Sequence, residues 1–454
     1  MIVNRNNIPK PGNEPKFSLP KIEEFKTSNS FNIIFVHKDN LPIIRFLYIS
    51  EIGSRIDPEN QKGLINLFGM VMEEGAGGLN AIELKEEFQF LGTNFSIGTN
   101  KDSTSLSFLS LKENFERSLE LVNLILNEPE FAEQSFRREK GKILTSLQQV
   151  QDSADITADF AFDSIIFNRN EPYAYPTEGY PDHINNLSIK YLMDLYKNIF
   201  KKTEPNLIIV GDISKDKLEQ IVDDKLVPFK NHIDIIGSEI NVSKVKTKIY
   251  FVDKKDSLQS EIRIGHLSLK RSENDFYSKA LLNTILGGQF TSRLNLNLRE
   301  DKGYTYGVHS SFSYHKYAGS FYVTTSVATE YTGSAISEII NEMKKIHQGV
   351  TKNELIFAKS SITKSFPSNF ETYGQIASNL SNKIKHSLSN NYFANYLNKI
   401  SDVTIDELIN VALKNILPEY SVILIVGNKE KILPQLKDLK FGEVIEVGIF
   451  GQEL

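Results

Sequence analysis

An α+β fold built twice is what the sequence predicts: two homologous domains, each a mainly antiparallel sheet with helices packed on one face, forming half of a clamshell. Three observations carry this. The chain has 454 residues, above the size at which a single core usually stops growing. Strand-like segments come in hairpin-like groups and helical ones in runs, the ordering of an α+β layer fold. The strand–turn–helix "LIIVGDISKDKLEQI" recurs as "LIVGNKEKILPQL". The two glycines, Gly211 and Gly427, are about half a chain apart, the spacing of a duplicated domain rather than of a solenoid.

The elements follow in order. Residues 1–20 are rich in Pro and Asn and read as an extended surface arm. "FNIIFVHKDN" and "PIIRFLYISEIGS" read as paired strands across a polar turn. A helix follows in "KGLINLFGMVMEEGAGG", and a second, "NAIELKEEFQFLG", starts at an Asn80 cap and stops at Gly92. "NFSIGTNKDSTSLSFLSL" reads as a hairpin turning near Asn100–Asp102. "KENFERSLELVNLILNE" has the apolar spacing of an amphipathic helix, and residues 131–167 read as one long polar helix. The second half repeats the order: strand "EIRIGHLSLK", helix "NDFYSKALLNTILGG", the two-strand unit "YTYGVHSSFSYHKYAGSFYVTTSVA", then helices and the closing strand. The patterning fades over residues 230–248, which divides the chain into domains at 1–230 and 247–454.

Composition narrows the function. Charge is mild, 52 basic against 57 acidic residues for a net of −5, which offers nucleic acid no concentrated basic field. The absence of cysteine removes disulfides, thiolate metal sites and a Cys nucleophile. No run approaches the ~18–20 apolar residues of a membrane helix. The start shows no secretory h-region, which points to the cytoplasm, or to the periplasm had a signal been trimmed. No pair among the eight histidines has the i, i+4 spacing that puts two imidazoles on one helix face for zinc. His309 and His315 share a strand face by parity, but two imidazoles without a third ligand make a poor metal site. "GAGG" at 75–78 lacks the Lys-Ser/Thr of a phosphate loop, and no G-x-S-x-G elbow occurs. No self-contained catalytic set is visible.

From "P-K-P-G-N-E-P-K-F" to the final "LIVGN", the chain resembles the bacterial two-domain members of the pitrilysin/insulinase-type zinc metallopeptidase family. In active relatives G-x-x-H-x-x-E-H supplies two zinc ligands and the Glu that activates water. That motif falls on "GLINLFGM", with Asn66, Gly69 and Met70 at the His, Glu and His positions. The third ligand, a Glu in the family, falls at Ser146. The resemblance therefore implies no cofactor in this chain, and leaves Leu64, Leu67, Phe68 and Met70 as a core face. "GGQFTSRLNLNLREDKGYTYGV" matches the family's "G-G-x-x-S-R-L-x-x-x-L-R-x-x-x-G-x-x-Y" and carries over Arg299 and Tyr306 as the substrate-binding pair. An Arg fork suits a peptide carbonyl or carboxylate, and a Tyr hydroxyl can donate to a developing oxyanion.

The division implies a heterodimer: this chain supplies Arg299 and Tyr306, and a homologous H-x-x-E-H subunit supplies zinc. The substrate is a peptide or small unfolded polypeptide. The rival from another class is a non-enzymatic scaffold or peptide-binding protein of the same fold, possible as a homodimer, which holds an extended peptide at a sheet edge. An independent peptidase would need a nucleophile and base that the sequence does not display.

Overall fold

The computed structural model describes residues 17–237, 239–240, 246–272, 274–439 and 441–454. Most of the arm read over residues 1–20, and part of the 230–248 boundary, lie outside them. The first half contributes β1 (Glu23–Lys26), β2 (Asn32–His37), β3 (Ile43–Ser50), a small ribbon of β4 (Gly75–Ala76) and β5 (Leu79–Asn80), then β6 (Asn94–Thr99), β7 (Thr104–Leu111) and β8 (Asn206–Gly211). The second contributes β9 (Lys248–Asp253), β10 (Gln259–Ser268), β11 (Val308–Tyr314), β12 (Gly319–Ala328), β13 (Val422–Gly427) and β14 (Val444–Glu446).

Two six-stranded sheets result, in orders β1-β2-β8-β3-β7-β6 and β11-β12-β10-β13-β9-β14. Read from opposite ends, five of the six positions coincide, so the duplication seen in the sequence is a duplication of topology; the sixth differs, β1 opening its half antiparallel to β2 and β14 closing the chain parallel to β9. Gly211 and Gly427 end the equivalent strands β8 and β13. Most pairs are antiparallel; β2–β8, β9–β13 and β9–β14 are parallel.

Two local readings need correction. The segments read as a pair, β2 and β3, are not neighbours: β8 lies between them, parallel to β2 and antiparallel to β3. β8 reads Leu207-Ile208-Ile209-Val210, buried throughout, as a central strand must be. The single long helix over 131–167 is two helices, Glu133–Gln149 and Ala154–Ile166, because Ser153 caps the second by accepting from Ile156 N at 3.3 Å. Asn80 does form a capping box with Glu83, and the αL residue Gly92 follows just after that helix, Ala81–Phe90.

Each sheet carries its own half's helices on one face. In the first half, Ile33, Phe35, Phe46, Leu207 and Ile209 face that core. The alternate residues Ile34, Val36, Ile208 and Val210 face the second half instead. There helix Tyr373–Lys385 covers them with Ile376, Ala377 and Leu380. The exchange is reciprocal: helix Ala154–Ile166 lays Ala158, Ala161, Phe162 and Ile166 on Val252, Leu424 and Val426 of the second sheet. Burying each large apolar side chain contributes about 1.5–3 kcal/mol, so the exchanged helices bind the halves tightly. Ion pairs follow the same paths, Arg263 Nε to Asp159 Oδ1 at 2.8 Å and Lys383 Nζ to Glu24 Oε1 at 2.6 Å.

Between the halves lies a buried polar hub. Asp102, at the tip of the β6–β7 hairpin, is 3% exposed. It accepts from Tyr173 Oη at 2.7 Å and, out of the second half, from Lys316 N at 3.1 Å and Lys385 Nζ at 3.1 Å. Burial alone would raise its pKa, but His315, with Nδ1 3.8 Å away, the hydrogen bond from Tyr173 and the charge of Lys385 hold the carboxyl well below its usual range. His315 stacks on Tyr173 with ring centroids 4.4 Å apart.

Candidate functional site

The helix that matches the zinc motif is Leu64–Met72. Asp57 starts it, accepting from Gly63 N at 2.8 Å and Ile65 N at 2.9 Å in place of a Ser or Thr cap. Gly63, the motif's leading glycine, sits at φ +93° against the Glu178 carbonyl, where a Cβ would not fit. Leu64, Ile65, Leu67, Phe68, Val71 and Met72 are buried. Phe68 packs at 5.2 Å from the Phe200 ring. The helix is held as part of the core.

The four positions that carry zinc chemistry in the family have other uses here. Asn66 and Met70 lie one turn apart, Asn66 Nδ2 donating to Met70 Sδ at 3.9 Å, and Met70 packs on the first-half core. Gly69 is pressed against β6: a Cβ there would meet Thr99 Oγ1 at 2.8 Å and Ile97 Cγ2 at 3.4 Å. Thr99 is itself held, its hydroxyl 3.1 Å from that of Thr104. The general-base position therefore lacks a carboxylate and also the room for one. Ser146 is exposed on helix Glu133–Gln149, off the buried line of Phe136, Glu139, Ile143 and Leu147. Zinc does not fit these residues. Asn, Met and Ser offer it no imidazole or carboxylate, and among the described residues no three His, Cys, Asp or Glu side chains gather as a metal site.

The second-half motif divides into framework and exposed groups. Ser292, Leu294, Asn295 and Leu298 are buried. Arg293 binds Glu354, and Asn295 Nδ2 donates to Gln289 O and Val308 O at 3.1 and 2.8 Å. Arg299 lies on the π-helical turn Asn295–Asp301, a wide-turn geometry often found at functional sites. Its guanidinium stacks over Phe290 at 3.7 Å and lies 3.5 Å from Glu300 Oε1. Tyr306 stands in the loop before β11, 95% exposed. Thr305 fixes that loop, its hydroxyl donating to Gly307 O or Ser326 O at 2.8 Å. Phe290, 63% exposed, was not singled out by sequence reasoning although it stands inside the quoted motif; an aromatic nine residues before an Arg gives no sign that the two stack. Among the described residues no hydrogen bond or ring contact joins Arg299 or Tyr306 to Asn66, Met70 or Ser146.

Two duplicated α+β layers, with a helix at the zinc-motif position that has lost its ligands, define a metallopeptidase-like protein. Family models agree: residues 46–179 match "Insulinase (Peptidase family M16)" and residues 186–362 match "Peptidase M16 inactive domain". The chain belongs to peptidase family M16. It is 24% identical over 385 residues to the "Non-peptidase homolog YmxG" of Helicobacter pylori, covering 84% of this chain and 88% of that one. A more distant likeness, 22% over 209 residues, is to the "Mitochondrial-processing peptidase subunit beta" of Homo sapiens, covering 42% and 41%. The crystal structure of a peptidase M16 inactive domain from Pseudomonas fluorescens superimposes with a TM-score of 0.82 over 90% of this chain and 98% of that one, at 22% identity. No helix among the described residues is long and apolar enough to cross a membrane.

Proposed function

We propose that this chain is the non-zinc subunit of a two-subunit M16 peptidase. It presents Arg299 and Tyr306 to a peptide or small unfolded polypeptide held between itself and a homologous H-x-x-E-H subunit, which supplies the metal. The observation that carries this reading is a contrast within one chain. Gly69 is packed where a general base would stand, whereas Tyr306 is 95% exposed on a loop that its own hydrogen bonds hold in place. Burying a phenol would stabilise the fold; leaving one in water suits a group that meets something else. Arg299, stacked on Phe290, keeps a preorganised fork for a carbonyl or carboxylate.

The test is co-expression with an H-x-x-E-H homologue, followed by size and zinc analysis and a peptide-mixture assay. Each chain alone should be inactive, and the pair should contain one zinc per two chains. A partner that cleaves equally well without this chain overturns the reading. A stable homodimer with no zinc-binding partner would favour the scaffold or peptide-binding alternative.

A further inference from the structure

A cavity of about 470 Å³ opens at the seam between the halves. One wall is the end of helix Ala154–Ile166 and the chain leaving it, with Phe167 and Arg169. The other is the second sheet, where Lys248 and Tyr250 of β9, Leu267 of β10 and Val422 of β13 line it. None of Asn66, Gly69, Met70, Ser146, Arg299 and Tyr306 is among its lining residues. The cavity is therefore separate from both motif regions.

Its walls are held by the fold. Ile249 and Phe251 of β9 enter the second-half core, so strand alternation turns Lys248 and Tyr250 to the opposite face. Val422 stands beside Lys248 in the parallel ladder. His266 ties β10 to the loop before β13: its Nε2 accepts from Leu417 N at 3.0 Å, and its Nδ1 donates to Leu267 O at 2.9 Å. Leu267 and Leu417 are both cavity walls. A largely apolar hollow between two layers, with a few polar groups converging on it, has the character of a small-molecule site, and its volume falls in the usual range of ~300–1,000 Å³.

Charge narrows what enters. Elsewhere on the seam, cations of the second half are matched by anions of the first: Arg263 by Asp159, Lys383 by Glu24, Lys385 by Asp102 and Lys316 by Glu51. Around the cavity, Arg169 approaches from one wall and Lys246 and Lys248 from the other. Among the described residues none of these three forms an ion pair, and Arg169 lies over the Tyr180 ring at 5.8 Å. Glu171 and Glu453 share the lining without pairing either, so three cations against two carboxylates leave a positive balance beside an apolar floor.

We propose that this cavity binds a small organic anion, a carboxylate or phosphate carried on an apolar or aromatic body. Arg169 and Lys248 take the charge, and Tyr250, Leu267 and Val422 take the body. Because each half supplies one wall, the bound molecule braces the seam. The inference concerns this chain alone and stands apart from the two-subunit reading.

The test titrates the full chain with 1-naphthyl phosphate, 1-naphthoate, neutral 1-naphthalenemethanol and cationic 1-naphthylmethylamine, read by calorimetry and by thermal shift. The two anions should bind and raise Tm in a concentration-dependent way, and their relative affinities show whether phosphate or carboxylate is preferred. The alcohol should bind at least roughly tenfold more weakly, the scale of losing a charge-assisted contact. Arg169→Gln with Lys248→Gln should weaken both anions by roughly tenfold or more; added salt should weaken them too. Leu417→Trp should fill the cavity and abolish binding of all four compounds. The chain has no Trp of its own, so emission from the new indole reports whether it is buried there. No anion binding up to about 1 mM, equal binding of the alcohol, tighter binding of the amine, or full anion affinity in the double Gln variant would each overturn the proposal.

Discussion

Arg293 grips Glu354 with two parallel bonds, Nε to Oε1 at 2.6 Å and Nη2 to Oε2 at 2.9 Å. Glu354 in turn accepts from Thr351 N at 2.7 Å and completes the capping box of helix Lys352–Ser365. The motif arginine therefore ties the loop before Arg299 to the helix behind it. Arg293→Ala should cost about 2 kcal/mol in urea denaturation near neutral pH, the scale of bonds between charged groups.

The same pair sets an acid sensitivity. Hydrogen bonding to Arg293 takes the Glu354 carboxyl from the ordinary 4.5 to about 2. A carboxyl lowered on folding contributes stability above its unfolded value and loses it as pH falls through the folded one. The stability gap between wild type and Arg293→Ala should thus be constant above about pH 5 and shrink between 4.5 and 2. A gap that widens on acidification would contradict the pairing.

Asp102 should be among the least replaceable residues of the chain. Asp102→Ala leaves Lys385 without its carboxylate and Tyr173 without its acceptor, all at the seam between the halves. Removing one partner of a buried ion pair costs about 3–5 kcal/mol, and thermal unfolding should drop accordingly. An Asp102→Ala protein as stable as wild type would show that the seam holds without its hub.

Gly69→Ala should destabilise by about 1–3 kcal/mol through overpacking against β6. Thr99→Ala removes the hydroxyl at the point of closest approach and should recover part of that loss, giving a coupling measurable in a double-mutant cycle. Additive effects would mean that Thr99 is not what excludes a side chain at 69.

Tyr306→Phe should leave stability unchanged, since the ring is exposed. In the proposed complex it should lower turnover by roughly 10²–10³, the effect of removing an oxyanion donor. Arg299→Ala should act mainly on KM if the guanidinium binds substrate equally in ground and transition states. Wild-type kinetics in both variants would remove the Arg/Tyr pair from the reaction.

Much of the fold was legible because local signals and tertiary roles agree. The Asn80 capping box, the stop at Gly92, the 94–111 hairpin and the matching ends of β8 and β13 all follow from residues near one another in sequence. What was missed is long-range. The insertion of β8 between β2 and β3 joins residues more than a hundred apart, and no local pattern reports it. Ser153 looked like one more polar residue in a polar helix until its hydroxyl capped the next one. At the candidate site, the loss of His and Glu from "GLINLFGM" was plain, but the tightness around Gly69 depends on Thr99 across the sheet. Asp102 gave no sequence signal, since it acts through partners brought close only by folding.

Expressed alone, residues 1–230 would expose Ile34, Val36, Ile208 and Val210. That fragment should be poorly soluble and open to protease, and co-expression with residues 247–454 should restore compactness, as read by limited proteolysis. A well-folded isolated fragment would deny the importance of the exchanged helices.

The reciprocal loan of one helix from each copy to the other makes the duplication irreversible. Neither copy can be discarded without stripping the survivor, so a lineage that gave up its metal could shed side chains from the old reaction centre but not the repeat that housed it. It also opposes a hinge between the halves, since parting them would strip each sheet of its borrowed helix. In the proposed two-subunit complex, opening around a peptide would therefore fall between the polypeptides.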